Sequence, residues 1–300
     1  MAMNNNESYT QGIDLELTGK MKKKDNIALK IVIYVVCIFL TALSIIPFWV
    51  MICNSTRNNA QFSESSVAFI PSIHLKENFQ TLQEKQSFKP LVGFANSFII
   101  AAGSTVLAIY FSSLTAYAQV VYEWKLRNAF FSFIMAVMML PAQVTMIGFV
   151  QFCYQLKMSN NLLMLILPSI AAPSMVFFMR QYLQPALPIE IVHSARIDGA
   201  KEFFIFNRIV IPIMKPAMAT QAIFSFVSSW NNLFTPSVLL TTKERYTMPI
   251  MVSQLRGNIY QTKYGAIYMG LTLTVLPLII VYLVLSKYIV AGVAVGSVKG

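Results

Sequence analysis

Charge is what this sequence has least of. Only 12% of its 300 residues are Asp, Glu, Lys or Arg, about half the share usual in a soluble domain. Acids are scarcer still, twelve against 23 Lys and Arg, and none falls within a long apolar run. Ion-coupled carriers and proton relays place ionisable groups inside the membrane, so this absence argues against ion coupling and for a neutral polar cargo. Three cysteines, Cys37, Cys53 and Cys153, show no CxxC or Cys/His ligand spacing, and two histidines, His74 and His193, are too few for a metal cage. There is no glycine-rich loop ending in lysine, so the chain does not cradle ATP phosphates itself. Nor is there a nucleophile triad, which leaves a membrane enzyme without a catalytic constellation.

What remains is apolar: 56% of the residues are hydrophobic and the mean hydropathy is +0.59. Such a chain is a polytopic membrane protein. Its net charge of +11 invites a nucleic-acid partner, but the basic residues gather at the ends of apolar spans, as topology signals do. The surface partner is therefore membrane lipid, with no nucleic acid. Residues 1–30 read as a flexible cytoplasmic tail carrying Lys20, Lys22, Lys23, Lys24 and Lys30. Residues 31–300 read as the membrane domain. Spans are expected at about 31–53, 94–121, 130–152, 162–180, 217–240 and 266–290, each long enough to cross a core of about 30 Å. Six spans put both termini in the cytoplasm, with about 14 Lys and Arg inside and about 9 outside, a modest positive-inside bias.

Polar residues inside the spans mark candidate functional positions. The second span holds Ala101, Ala102, Gly103, Ser104, Ser112, Ser113 and Thr115, which suit close helix packing, with a polar path as the alternative. Pro141 interrupts the third span and frees backbone groups that need protein or a water-lined cavity. Gln143 and Thr145, just beyond it, are candidates for a solute pathway. So are Trp230, Asn231 and Asn232 in the fifth span, since buried amides are costly unless hydrogen-bonded. Helix packing is an equal alternative for all five.

Between the fourth and fifth spans lies a polar stretch, Pro188–Pro216. It carries Glu190, His193, Arg196, Asp198, Lys201, Glu202, Arg208 and Lys215. Pro188 suits a first helical turn, and Ile189, Val192 and Ala195 give a narrow apolar face. Asp198-Gly199 is a turn signal in which the glycine takes positive φ, and Asp198 is placed to cap the second helix of the stretch. Phe203, Phe206, Ile209 and Val210 mark a second apolar face, and Pro212 and Pro216 punctuate the return to the membrane. The expected product is two short amphipathic helices with a sharp elbow, a knob on one side of the bilayer. A helix pair lying in the lipid interface is the alternative.

This stretch resembles the coupling loop of ABC-importer permeases, whose pattern is roughly E-A-A-x-x-D-G-A, an apolar helix, then P-x-x-x-P. The pattern falls on His193-Ser194-Ala195, Asp198-Gly199-Ala200, Ile209, Pro212 and Pro216 with its spacing intact. His193 replaces the family's glutamate, and Glu190, one turn earlier, offers a similar charge. Asn96-Ser97, Ala116-Tyr117-Ala118, residues 140–145, Trp230-Asn231-Asn232 and the ending from Lys287 also look like the carbohydrate-uptake branch. The closest kind is the smaller, six-span subunit of the maltose-type permease pair.

The resemblance implies an all-α membrane protein with six transmembrane helices and a cytoplasmic two-helix coupling loop at 188–216. It implies a subunit of a binding-protein-dependent importer for a sugar or oligosaccharide, in a prokaryotic plasma (inner) membrane. It further implies a second permease subunit, two ATPase subunits and an extracytoplasmic sugar-binding protein. ATP-Mg would sit on the ATPase subunits, with no cofactor on this chain and no enzyme activity of its own. In such complexes the coupling loop docks in a cleft of an ATPase subunit, and its apolar faces would fill that cleft. Solute contacts in the maltose-type pair come mainly from the other permease. The alternatives are a permease for another polar solute, or a stand-alone secondary transporter, which would be expected to show intramembrane ionisable groups or inverted repeats.

Overall fold

The computed structural model describes residues 27–84, 88–255 and 263–297. The expected tail up to Asn26 and the last three residues of the terminal motif lie outside them. Contacts divide the chain into two units, residues 1–50 and 51–300. The first unit is carried by helix α1 (Ile27–Ser55), whose mean hydropathy from Lys30 onward reaches 2.7. Its hydroxyls are folded back on its own backbone: Thr41 donates to the Cys37 carbonyl at 2.7 Å and Ser44 to that of Leu40 at 2.9 Å. That is how a hydroxyl is accommodated in hydrocarbon, where no water is available.

The second unit opens with two short helices, α2 (Asn59–Glu64) and α3 (Leu75–Glu84). Asn58 and Gln61 form a reciprocal capping box at the start of α2. Asn78 on α3 donates to the Ser55 and Arg57 carbonyls, both at 2.8 Å, tying α3 to the chain that leads into α2.

Helix α4 (Pro90–Val121) is the axis of the unit. It packs along α8 (Pro173–Ala186) and α11 (Ile211–Trp230). Its buried positions include Gly93, Ser97, Ala101, Ser104, Ala108, Ser112 and Ala116, a run of small residues every three to four positions. Small residues let backbones approach closely where lipid supplies no hydrophobic drive between helices. Asn96 and Ser97 also fasten a later segment: the Asn96 amide donates to the Glu244 and Tyr246 carbonyls, and Ser97 accepts from the Met248 N–H at 2.9 Å.

Among the described residues, five helical stretches are long and apolar enough to cross a membrane, and a sixth crossing exists if one bent pair counts as one span. That pair is α5 (Arg127–Met138) and α6 (Ala142–Gln155), which meet at 95°. The expected third span at 130–152 is therefore a sharp corner, with Pro141 as the residue before α6. Proline cannot continue the helix before it but suits the start of the next. The fourth crossing is also composite: α7 (Leu163–Ile166), a 3-10 turn (Leu167–Ile170), two extended residues, then α8. Pro168 and Pro173 stand at the first turns of their segments, and a third proline, Pro185, lies near the end of α8.

The fifth crossing departs furthest from expectation. A continuous helical run extends over Glu202–Trp230, built of α10 (Glu202–Ile205), a π-turn (Phe206–Val210) and α11. It begins well before the expected 217 and stops at Trp230, and α12 (Phe234–Leu239) is a separate short helix. Pro212 and Pro216 therefore do not punctuate anything, since both are inside the run. The Ile211 N–H reaches back five residues to Phe206, and this wider turn makes room for the Pro212 ring against the preceding carbonyls. A 3-10 turn (Lys243–Arg245), α13 (Met248–Gln254) and α14 (Tyr264–Ser297) complete the chain.

The start of α14 is the tightest backbone approach. A Cβ on Gly265 would overlap the Arg57 carbonyl oxygen and the Asn78 side-chain amide. Neither can withdraw cheaply, because Asn78 is holding that same carbonyl. Overpacking of this kind costs about 1–3 kcal/mol. Gly265→Ala should lower the thermal unfolding midpoint of the detergent-purified protein, and an unchanged midpoint would contradict this packing.

Candidate functional site

The stretch 188–216 forms an elbow. Helix α9 (Ile189–Ile197) has Asp198 as its C-cap. Gly199 follows with φ +80°, its N–H on the Arg196 carbonyl at 3.0 Å, and the Ala200 N–H returns to the Ala195 carbonyl at 2.9 Å. This pair of bonds is the Schellman termination, which asks for a left-handed residue at the first position past the cap. Asp198 does not cap the following helix: Lys201 occupies that position, and α10 has no side-chain cap. The turn residues Gly199 and Ala200 separate Asp198 from that cap position, so the aspartate is out of reach.

One face of the elbow, drawn from both arms, turns inward. Val192, Ile205, Phe206 and Val210 are fully buried, with Ile189, Ala195, Ala200 and Ile209 packed against them. The Phe206 ring lies 5.6 Å from both Tyr110 and Tyr117, two turns apart on α4. Phe206 and Val210 are thus consumed by the chain's own core and are not free to fill a partner's cleft. Phe203 does not share their face; it is 68% exposed, beside Phe204 at 55% and Ile197 at 86%. His193, Ser194, Asp198 and Gly199 are exposed on the same knob. The outward apolar surface therefore includes Ile197, Phe203 and Phe204, with Ile191 on α9 less exposed at 43%.

A polar bracket fixes the elbow angle. Arg196 Nε donates to Glu202 Oε1 at 2.6 Å, joining the two arms across the turn. The Tyr117 hydroxyl donates to Glu202 Oε2 at 2.7 Å, joining both to the end of α4. The Arg196 guanidinium also lies 5.4 Å over the Tyr122 ring. Glu202 stands at the charged start of its helix, well before the uncharged stretch that begins after Lys215. The sequence displays Arg196 and Glu202 only as two charges among eight; their pairing depends on the tight turn between them.

The pathway candidates separate. Trp230 is buried, and its indole N–H donates to the Thr274 carbonyl at 3.1 Å, a packing role against α14. Asn231 is the C-cap of α11 and faces a hollow among Pro249, Val252 and Thr274. Thr145 and Asn232, by contrast, line a common cavity of about 640 Å³, together with Met146, Phe149 and Ser229. An adjoining cavity of about 430 Å³ shares Ser229 and Asn232 and is rich in hydroxyls. Gln143 is exposed and borders neither of these two cavities. Sequence reasoning named Asn232 but missed the α11 wall beside it, Gln221, Ser225, Ser228 and Ser229, although a signal was there to find: Gln221, Ser225 and Ser228 recur every three to four positions, and Ser229 adjoins them.

Residues 108–295 match the family described as "Binding-protein-dependent transport system inner membrane component". The chain is 33% identical to the arabinooligosaccharides transport system permease protein AraQ of Halalkalibacterium halodurans, over 93% of its own length and all of that protein. It is 39% identical to the protein of the same name from Bacillus subtilis, over 69% of this chain and 73% of that one. Among solved structures, a chain of a bacterial ABC transporter involved in the import of the acidic polysaccharide alginate has a TM-score of 0.72 at 21% identity. The match covers 89% of this chain and 99% of that one, a likeness of fold. The small-residue axis, the all-helical crossings and the elbow before the fifth of them thus belong to a member of the binding-protein-dependent transport system inner membrane components, the membrane-spanning permeases of ABC importers.

Proposed function

We propose that this chain is a permease subunit for a neutral saccharide, working beside a second permease, two ATPase subunits and an extracytoplasmic binding protein. Relatives named for arabinooligosaccharide transport support the cargo class. So does the absence of Asp and Glu from the apolar runs. ATP-Mg belongs to the ATPase subunits, and both termini of this chain face the cytoplasm with the elbow.

The observation that carries the reading is the elbow's construction. Its inward face is packed into the permease core and its outward face leaves Ile197, Phe203 and Phe204 exposed. An exposed apolar cluster on a braced support is suited to a partner's cleft. Because α10, the π-turn and α11 are one continuous run, a push on the elbow moves a membrane crossing as a rigid body. The Arg196–Glu202–Tyr117 bracket sends the same push into α4. His193 stands exposed where the family has glutamate, with exposed Glu190 one turn away.

Gly199→Pro tests the reading. Proline cannot adopt positive φ and removes the N–H that terminates α9. In the assembled importer, solute-stimulated ATPase activity and transport should fall together while the protein still inserts in the membrane. Normal stimulation in that variant would overturn the docking role. The bracket gives a second test. Arg196→Glu and Glu202→Arg should each uncouple ATP hydrolysis from transport several-fold, and the double exchange should restore most of it; singles without effect would dismiss the bracket.

A further inference from the structure

We propose that the pair of adjoining cavities is itself a solute site in this subunit, and that it takes an uncharged, polyhydroxylated molecule. The proposal rests on the importer reading and adds that this chain, rather than only its permease partner, contacts the cargo.

The first support is where the helices break. α5 turns into α6 around Leu140. The 3-10 turn gives way to α8 through Ala171 and Ala172, and α11 ends three residues before α12. Leu140, Ala171, Pro173 and Asn232 all line the larger cavity. Three interruptions far apart in sequence thus meet at one hollow. Non-helical backbone at membrane depth is tolerated where it lines a cavity or is buried in protein, and discontinuous helices in transporters surround the solute.

The second support is the chemistry of the lining. Hydroxyls reach the smaller cavity from four elements: Ser104 of α4, Ser169 of the 3-10 turn, Ser174 of α8, and Ser225, Ser228 and Ser229 of α11. Gln221 and Asn232 add amides. Among the described residues, no Asp, Glu, Lys, Arg or His lines either cavity. Hydroxyls and amides both donate and accept, which matches sugar hydroxyls. The lack of any cation leaves nothing to neutralise a phosphate or carboxylate on the cargo. The larger cavity adds Ile100, Met146, Phe149 and Met164, apolar surface for the C–H faces of a sugar ring. Both volumes fall within the range of about 300–1,000 Å³ typical of small-molecule sites.

Ser229 lines both cavities and is the place to probe. The experiment uses Ser229→Cys in the assembled importer, reconstituted in nanodiscs, with a membrane-impermeant thiol reagent. Lys125→Cys, exposed in the loop between α4 and α5, is the control, and the parent chain sets the background rate. Neutral probes are arabinotriose, maltotriose and raffinose, and the charged probe is glycerol 3-phosphate. Ser229→Cys should react, and a transported neutral sugar at ten times its Kd should slow that reaction about tenfold, since about a tenth of the sites stay empty. Lys125→Cys should react and show no protection. An unreactive Ser229→Cys, or equal rates with and without a transported sugar, would overturn the site while leaving the importer reading standing. Transport of glycerol 3-phosphate with none of the neutral sugars would overturn the cargo class in both. A parent complex that moves no probe under ATP would refute the saccharide reading and this site with it.

Discussion

In hydrocarbon no water is at hand for a backbone N–H or carbonyl, so every break in a helix must be matched by protein or by a cavity. The architecture of this permease follows from how it meets that constraint. α4 crosses unbroken, with small residues facing its neighbours, and lets α8 and α11 come close. The crossings around it are interrupted at Leu140, at Ala171–Ala172 and after Trp230, and these interruptions share one hollow. A continuous axis and interrupted segments beside it are complementary: the axis supplies stability, and the breaks supply polar groups where a solute would pass.

The elbow solves a different problem, how to present an apolar surface without letting it collapse inward. Val192, Ile205, Phe206 and Val210 anchor the inner side, and the Arg196–Glu202 pair fixes the angle. Both residues of the pair are partly exposed, and exposed ion pairs contribute little to stability. The value of this one is geometric: it joins two arms and, through Tyr117, a third element. The helix past the elbow leads to the cavity, and the π-turn keeps that run continuous despite Pro212.

Much of this is legible in the sequence, and the failures are instructive. The second span and the start of the sixth match helices to within a few residues because hydropathy senses long uniform runs. The corner at Pro141 looks like a kink, since hydropathy is blind to a 95° turn between two apolar pieces. Reading prolines as stops misplaces the start of the fifth crossing, because a π-turn absorbs one of them. Among Trp230, Asn231 and Asn232, polarity alone does not choose. Register does: at about 100° per residue, Asn232 shares a stripe with Gln221, Ser225, Ser228 and Ser229, while its two predecessors point elsewhere. Helical spacing puts Phe203 and Phe206 on one face, and only the neighbours on α4 reveal which of the two is buried. The Arg196–Glu202 pairing has no sequence signal beyond opposite charge across a turn.

The central claim is that the elbow is a docking part within a larger ATP-driven assembly. Gentle detergent extraction of the tagged protein from its native membrane, with mass spectrometry of the co-eluting proteins, tests it most directly. The account predicts an ATPase subunit and a second multi-span permease in stoichiometric amounts. With charged residues in place of Phe203 and Phe204, the ATPase should be lost and the second permease retained. A protein that elutes alone and transports in liposomes without ATP would contradict it.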